Sequence, residues 1–112
     1  EILVSSIEDA AGGHDTVMVL LDSNPEEAHV LRELNLYSKF VTPGSYLVVF
    51  DTMISQLEDS YFLDRPWSSK NNPMGAVDKF LEFSDDFVVD SSIDNKLLIS
   101  VAPNGYLLRN NS

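Results

Sequence analysis

Asp22 and Asp51 are the residues best placed to do chemistry, because each follows a short apolar run. Val17–Leu21 precedes the first and Tyr46–Phe50 ends just before the second. If both runs are strands of one sheet, the two carboxylates reach the same edge. A pair of hard oxygen donors there suits a divalent cation. Asp22 and Asp51 are therefore the expected metal ligands, and Asp22 is the first expected catalytic residue. Ser23 adjoins it and has a hydroxyl to offer a bound cofactor or the water shell of an ion. His29 is the further candidate for proton transfer, with a partly buried surface histidine as the plainer reading. His14, in the turn Gly12-Gly13-His14-Asp15, reads as an ordinary loop histidine.

Positioning these groups requires a βαβ unit. The two apolar runs carry β-branched Val17, Val19, Val48 and Val49, which favour strand over helix. Between them, Val30, Leu31, Leu34 and Tyr37 recur at helical spacing. Asn24 is expected as the N-cap, Pro25 as the first helical residue and Glu27 as the third. Pro43-Gly44 then turns the chain into the second strand. A right-handed crossover makes the two strands parallel, and ligands bind beyond the carboxyl ends of such strands. With Asn24 as cap, Asp22 is free for a ligand. No helix is expected directly after Asp51.

The chain has 112 residues, with 18 Asp and Glu against seven Lys and Arg, for a net charge of −11. The basic footprint of a nucleic-acid partner is missing. There is no cysteine, which excludes disulfides, thiolate metal sites and cysteine nucleophiles, and permits a cytoplasmic location. No apolar run approaches the ~20 residues that cross a bilayer. The start at Glu1, without methionine, reads as the interior of a longer protein.

Elsewhere, Ile2–Val4 reads as the tail of a strand. Ser6–Ala11 reads as one helical turn capped by Ser6 and ended by Gly12-Gly13. Residues 53–72 form a long irregular stretch whose Tyr61, Phe62 and Trp67 suit a lid or binding loop. A second helix follows, with Asn72 as cap, Pro73 first, and Met74, Val77, Phe80 and Leu81 on one face. Phe87–Asp90 and Leu97–Val101 read as a hairpin joined by Ser-Ser-Ile-Asp-Asn, after which the tail packs Tyr106 and Leu107.

The run LLDSNPEEAHVLRELNLYSKFVTPGSYLVVFDT, with NNPMGAVDKFLEFSDDFVVD and APNGYLLR, resembles the second half of the cephalosporin-hydroxylase-like and rhamnosyl O-methyltransferase family. The resemblance implies the C-terminal half of a Rossmann-like class I methyltransferase sheet: parallel strands, then an antiparallel hairpin. Residues 1–112 would be a single partial domain of that fold. It also implies a magnesium site, in which Asp22 matches an aspartate ending the fourth strand. Asp51 matches the aspartate of a Glu-Asp pair ending the fifth, and Phe50 stands where the glutamate would be. The family's Asp-Ser-Asp-His is here Asp22-Ser23-Asn24-Pro25. The glycine-rich loop and acid that hold S-adenosylmethionine belong to the half of the fold that the match leaves out.

Three functions follow as expectations. The leading one is methyl transfer from S-adenosylmethionine to a hydroxyl of a sugar or small metabolite, assisted by Mg²⁺. The alternative is a non-catalytic remnant that serves assembly. Hydroxylation by non-haem iron would need two histidines and a carboxylate on one metal, and only His14 and His29 exist. The expected partners are the small-molecule substrate and either a second copy or a missing segment, because the first strand of a half-sheet has an open edge.

Overall fold

The computed structural model describes residues 2–111. The chain alternates helix and strand: α1 Ile2–Ala11, β1 Val19–Leu21, α2 Glu27–Tyr37, β2 Tyr46–Val49, α3 Pro73–Phe83, β3 Phe87–Val89, α4 Ser91–Leu97 and β4 Tyr106–Arg109. The strands form one mixed sheet in the order β1-β2-β4-β3. β1 and β2 are parallel, with Leu21 opposite Val49, as the crossover requires. β4 is antiparallel to both β2 and β3.

The strands are short because their ends bond elsewhere. Val17 donates its N–H to the Thr42 hydroxyl (2.9 Å), and Thr42 returns its own N–H to the Val17 carbonyl (3.1 Å). That exchange prolongs the β1 side of the sheet before the ladder to β2 begins. Leu34, Leu47, Val49, Val77 and Leu107 are fully buried between the sheet and the α2–α3 layer. Each such side chain contributes roughly 1.5–3 kcal/mol of hydrophobic stabilisation. Lys79 of α3 donates to Glu27 of α2 at 2.5 Å, clamping the two helices at the surface.

Four expectations are corrected. Ile2–Val4 is the first turn of α1, not a strand. Val4, Ile7 and Ala11 are half-buried at helical spacing, a period that a three-residue run is too short to reveal. Ser6 accordingly lies inside the helix, which does end at Gly12-Gly13, with Gly13 at φ 86°. The N-cap of α2 is Glu26, two residues after the expected Asn24. Asn24 instead closes a local turn by accepting from the Glu26 N–H (3.0 Å). The orphan N–H of Glu27 is satisfied by the Asn71 side chain at 2.9 Å, from the loop 44 residues downstream.

The third correction concerns the expected hairpin. Phe87–Val89 is a strand, but Ser91–Leu97 is helical and Leu97–Val101 forms no strand. Asp90 caps α4, accepting from the N–H of Ser92 (3.1 Å), so the polar linker starts a helix. The antiparallel partner of β3 is β4, in the tail. Fourth, Asp51 is followed at once by a 3-10 turn, Thr52–Gln56, and a second spans Asp59–Phe62. The stretch 53–72 is thus irregular but built, with Ser69 N–H held by the Asp59 carboxylate (2.8 Å). No helix among the described residues is long and apolar enough to cross a membrane.

The start of α3 matches expectation. Asn72 accepts from the N–H groups of Met74 and Gly75, while its amide donates to the carbonyls of Ser68 and Ser69. It is only 3% exposed, so Asn72→Ala removes a cap and orphans two carbonyls. The expected loss is ~2 kcal/mol, read as a lower urea midpoint at unchanged slope.

Candidate functional site

The site is built from the end of the β1–β2 ladder. Phe50 donates its N–H to the Leu21 carbonyl (3.1 Å), which holds the two exits side by side. Asp22 emerges immediately after β1 and Asp51 one residue beyond Phe50. Asp22 is exposed and Asp51 half-buried. Asp51 takes φ 62°, ψ 16°, a left-handed backbone uncommon outside glycine that aspartate tolerates better than most residues. Next to it, Val49 donates to the Gly105 carbonyl (2.8 Å), and the Thr52 hydroxyl donates to the Pro103 carbonyl (2.6 Å). A Cβ on Gly105 would meet the Val49 carbonyl at 2.2 Å, so only glycine lets the tail pass so close to the rim.

Asp51 senses the charge of Asp22. The Asp51 carboxyl is pushed above its ordinary value, first by burial and then by the negative charge of Asp22. Neither side chain accepts a hydrogen bond from the described residues, and Asp51 does not use its carboxylate to cap the turn that follows. Two carboxylates at one rim, neither bonded within the described residues, are a donor set that suits a divalent ion. Among the described residues, no cluster of three or more His, Asp or Glu is placed to share a metal. The protein thus supplies two carboxylates, and water would have to complete an octahedron.

Ser23 and His29 belong to a neighbouring cluster. The Ser23 hydroxyl lies 3.1 Å from His29 Nε2 and donates to Glu33 Oε2 at 3.1 Å. His29 Nε2 stands 3.6 Å from Glu33 Oε1, an i,i+4 pair on α2. That Glu33 oxygen is buried and has no hydrogen-bond partner among the described residues, and the His29 ring stands beside it. Sequence reasoning missed Glu33, although the four-residue spacing from His29 was a usable signal. His14 is exposed in the turn before β1, at the opposite end of the strand from Asp22, and is not brought to the rim. Three hollows, of about 310, 390 and 400 Å³, are lined by other residues than Asp22, Ser23, His29 and Asp51. His14 borders the second, between α1 and β1.

Because the Asp51 pKa is raised in the folded state, its contribution to stability is full below the unfolded value near 3.9 and lost as pH rises through the folded value. Above that range the ionised, half-buried carboxylate destabilises the fold. Asp51→Asn should therefore gain on the wild type as pH rises from 3 to 7. With solvent screening, the gain at neutral pH is at most ~1 kcal/mol. Urea unfolding at the two pH values checks the sign.

With the geometry established, comparison places the chain among known proteins. The family model described as rhamnosyl O-methyltransferase/CmcI matches residues 1–110. Curated relatives named rhamnosyl O-methyltransferase occur in Mycobacterium bovis (strain BCG / Pasteur 1173P2) and Mycobacterium tuberculosis (strain ATCC 25618 / H37Rv). They are 33% identical over 97 residues, which is 84% of this chain. The match spans 36% of the length of those relatives. No solved structure matches the chain. The chain belongs to the rhamnosyl O-methyltransferase/CmcI family.

Proposed function

We propose that this chain supplies the metal-binding rim of an O-methyltransferase that modifies a hydroxyl of a sugar or small metabolite. The observation that carries the reading is the pair Asp22 and Asp51, set just past the ends of adjacent parallel strands, with the Asp51 carboxyl raised by burial and by the charge of Asp22. The two carboxylates would hold Mg²⁺ with waters in the remaining positions, and the bound ion would supply Lewis acidity toward the acceptor hydroxyl. His29, in the first turn of α2 beside Ser23 and Glu33, takes the proton that this hydroxyl releases. Glu33 then balances the imidazolium.

The residues described do not fit the methyl donor. S-adenosylmethionine is the family's usual cofactor, but Gly12-Gly13 ends a helix and precedes a strand, the reverse of a strand-to-helix phosphate or nucleotide turn. Ser23, expected as a cofactor contact, commits its hydroxyl to Glu33 and His29. The sheet order supports reading the fold as the C-terminal part of a Rossmann-like methyltransferase sheet, with the open side of β1 as the place where further strands would add.

A second reading has one observation in its favour. Phe50 occupies the position of the family's third acid, leaving two carboxylates where three would bind an ion more tightly. On that reading the chain is a non-catalytic assembly module.

The deciding experiment is methyl transfer to a rhamnose-bearing acceptor by the protein carrying this chain, with Mg²⁺ present. Asp22→Asn should lower kcat/KM by 100-fold or more without lowering the thermal midpoint in the absence of metal. His29→Gln should lower kcat more than it raises KM. Transfer that proceeds equally well with Asp22→Asn would refute the metal rim, and no transfer by the wild type would favour the assembly module.

A further inference from the structure

The segment after α4 is unlike the rest of the surface. Leu98 and Ile99 are 86% and 85% exposed, and Leu97 and Val101 about half-exposed, so four apolar side chains of one short stretch face water. The run Leu-Leu-Ile-Ser-Val has strong strand propensity, yet it pairs with no strand of its own sheet. It is held instead in a tight turn. Ile99 donates its N–H to the Leu97 carbonyl (2.7 Å) across Leu98, which sits at φ 64°, ψ −48°. That is the positive-φ γ-turn, a rare and strained conformation for leucine. Both ends are pinned, by Leu98 N–H to the Asp94 carbonyl (2.8 Å) and by Asn104 N–H to the Asp94 carboxylate (2.9 Å).

Charge identifies the occupant. All 18 acids lie at or before Asp94, and residues 95–112 carry Lys96 and Arg109 alone, a net charge of +2 against −13 for the remainder. Residues 97–101 themselves carry no charge, so two copies can meet along them without setting carboxylate against carboxylate. An antiparallel pair centred on Ile99 places Leu97 opposite Val101 and Lys96 opposite Ala102. Each ammonium then comes to the end of the segment where the other copy holds Asp94 on Asn104. Opposite charges meet at both ends of an apolar centre.

We propose that residues 97–101 open into a strand and pair with the same residues of a second copy, forming a two-fold symmetric dimer. The interface is isologous, so Ile99 faces its own counterpart across the axis. Pairing replaces the strained turn at Leu98 with extended backbone and covers the exposed leucines and isoleucine.

The test exploits the absence of cysteine. Opposed residues of an antiparallel pair bring their Cβ atoms to roughly 4.5–5.5 Å, close to disulfide range. Ile99→Cys should give a disulfide-linked dimer under mild oxidation, whereas Leu20→Cys, exposed on the open edge of β1, should not. By sedimentation equilibrium the wild type should be dimeric, and Ile99→Lys should weaken association at least tenfold with an unchanged circular dichroism spectrum. A monomeric wild type, a dimer untouched by Ile99→Lys, or cross-linking through Leu20→Cys in place of Ile99→Cys would each overturn the proposal.

Discussion

The parallel pairing of β1 with β2 is the constraint on which the rest of the structure depends. Parallel strands cannot be joined by a tight turn, so the chain must cross over, and α2 is the crossover. Once Leu21 is opposite Val49, the N–H of Phe50 reaches the Leu21 carbonyl and the residues after each strand leave the sheet together. A slip of one residue would turn Leu47 and Val49, now fully buried against the α2–α3 layer, toward the other face of the sheet. Hydrophobic register therefore fixes where Asp22 and Asp51 stand, with no bond between them required. The electrostatic tension at the rim is a by-product of burying the strands.

The tail completes this arrangement. β4 adds beside β2 in the opposite direction, and Gly105 lets it approach closely enough to accept from the N–H of Val49. Thr52, buried at 0% exposure, bonds to the Pro103 carbonyl in the same region. The turn that bears Asp51 is thus backed by the last strand, and its left-handed residue is held from both sides. Strain of this kind persists where surrounding structure over-determines it, and often marks a functional position.

The legible parts of the fold were those decided locally. The apolar runs, the Pro43-Gly44 turn and the stripe on α2 each act within a few residues, as does the Asn72-Pro73 start of α3. What escaped was decided at long range. Asn71 caps α2 from another part of the chain, and no local pattern could show that the true cap of that helix is Glu26. Leu97–Val101 has the composition of a strand, but Tyr106–Arg109 takes the place beside β3, and Asp90 turns the intervening polar residues into a helix. At the rim, Asp22 and Asp51 were visible because each follows an apolar run. Of Glu33 only the i,i+4 spacing from His29 was local; its contact with Ser23, ten residues earlier, arises on folding.

The central claim is that the carboxyl groups of Asp22 and Asp51 share one rim closely enough for Asp51 to feel the charge of Asp22. Carbon-13 NMR titration of the Asp51 side-chain carboxyl, in the wild type and in Asp22→Asn, measures this most directly. The account predicts a wild-type midpoint above the ordinary aspartate value that falls when Asp22 loses its charge, leaving only the part due to burial. A midpoint that is the same in both proteins would contradict it.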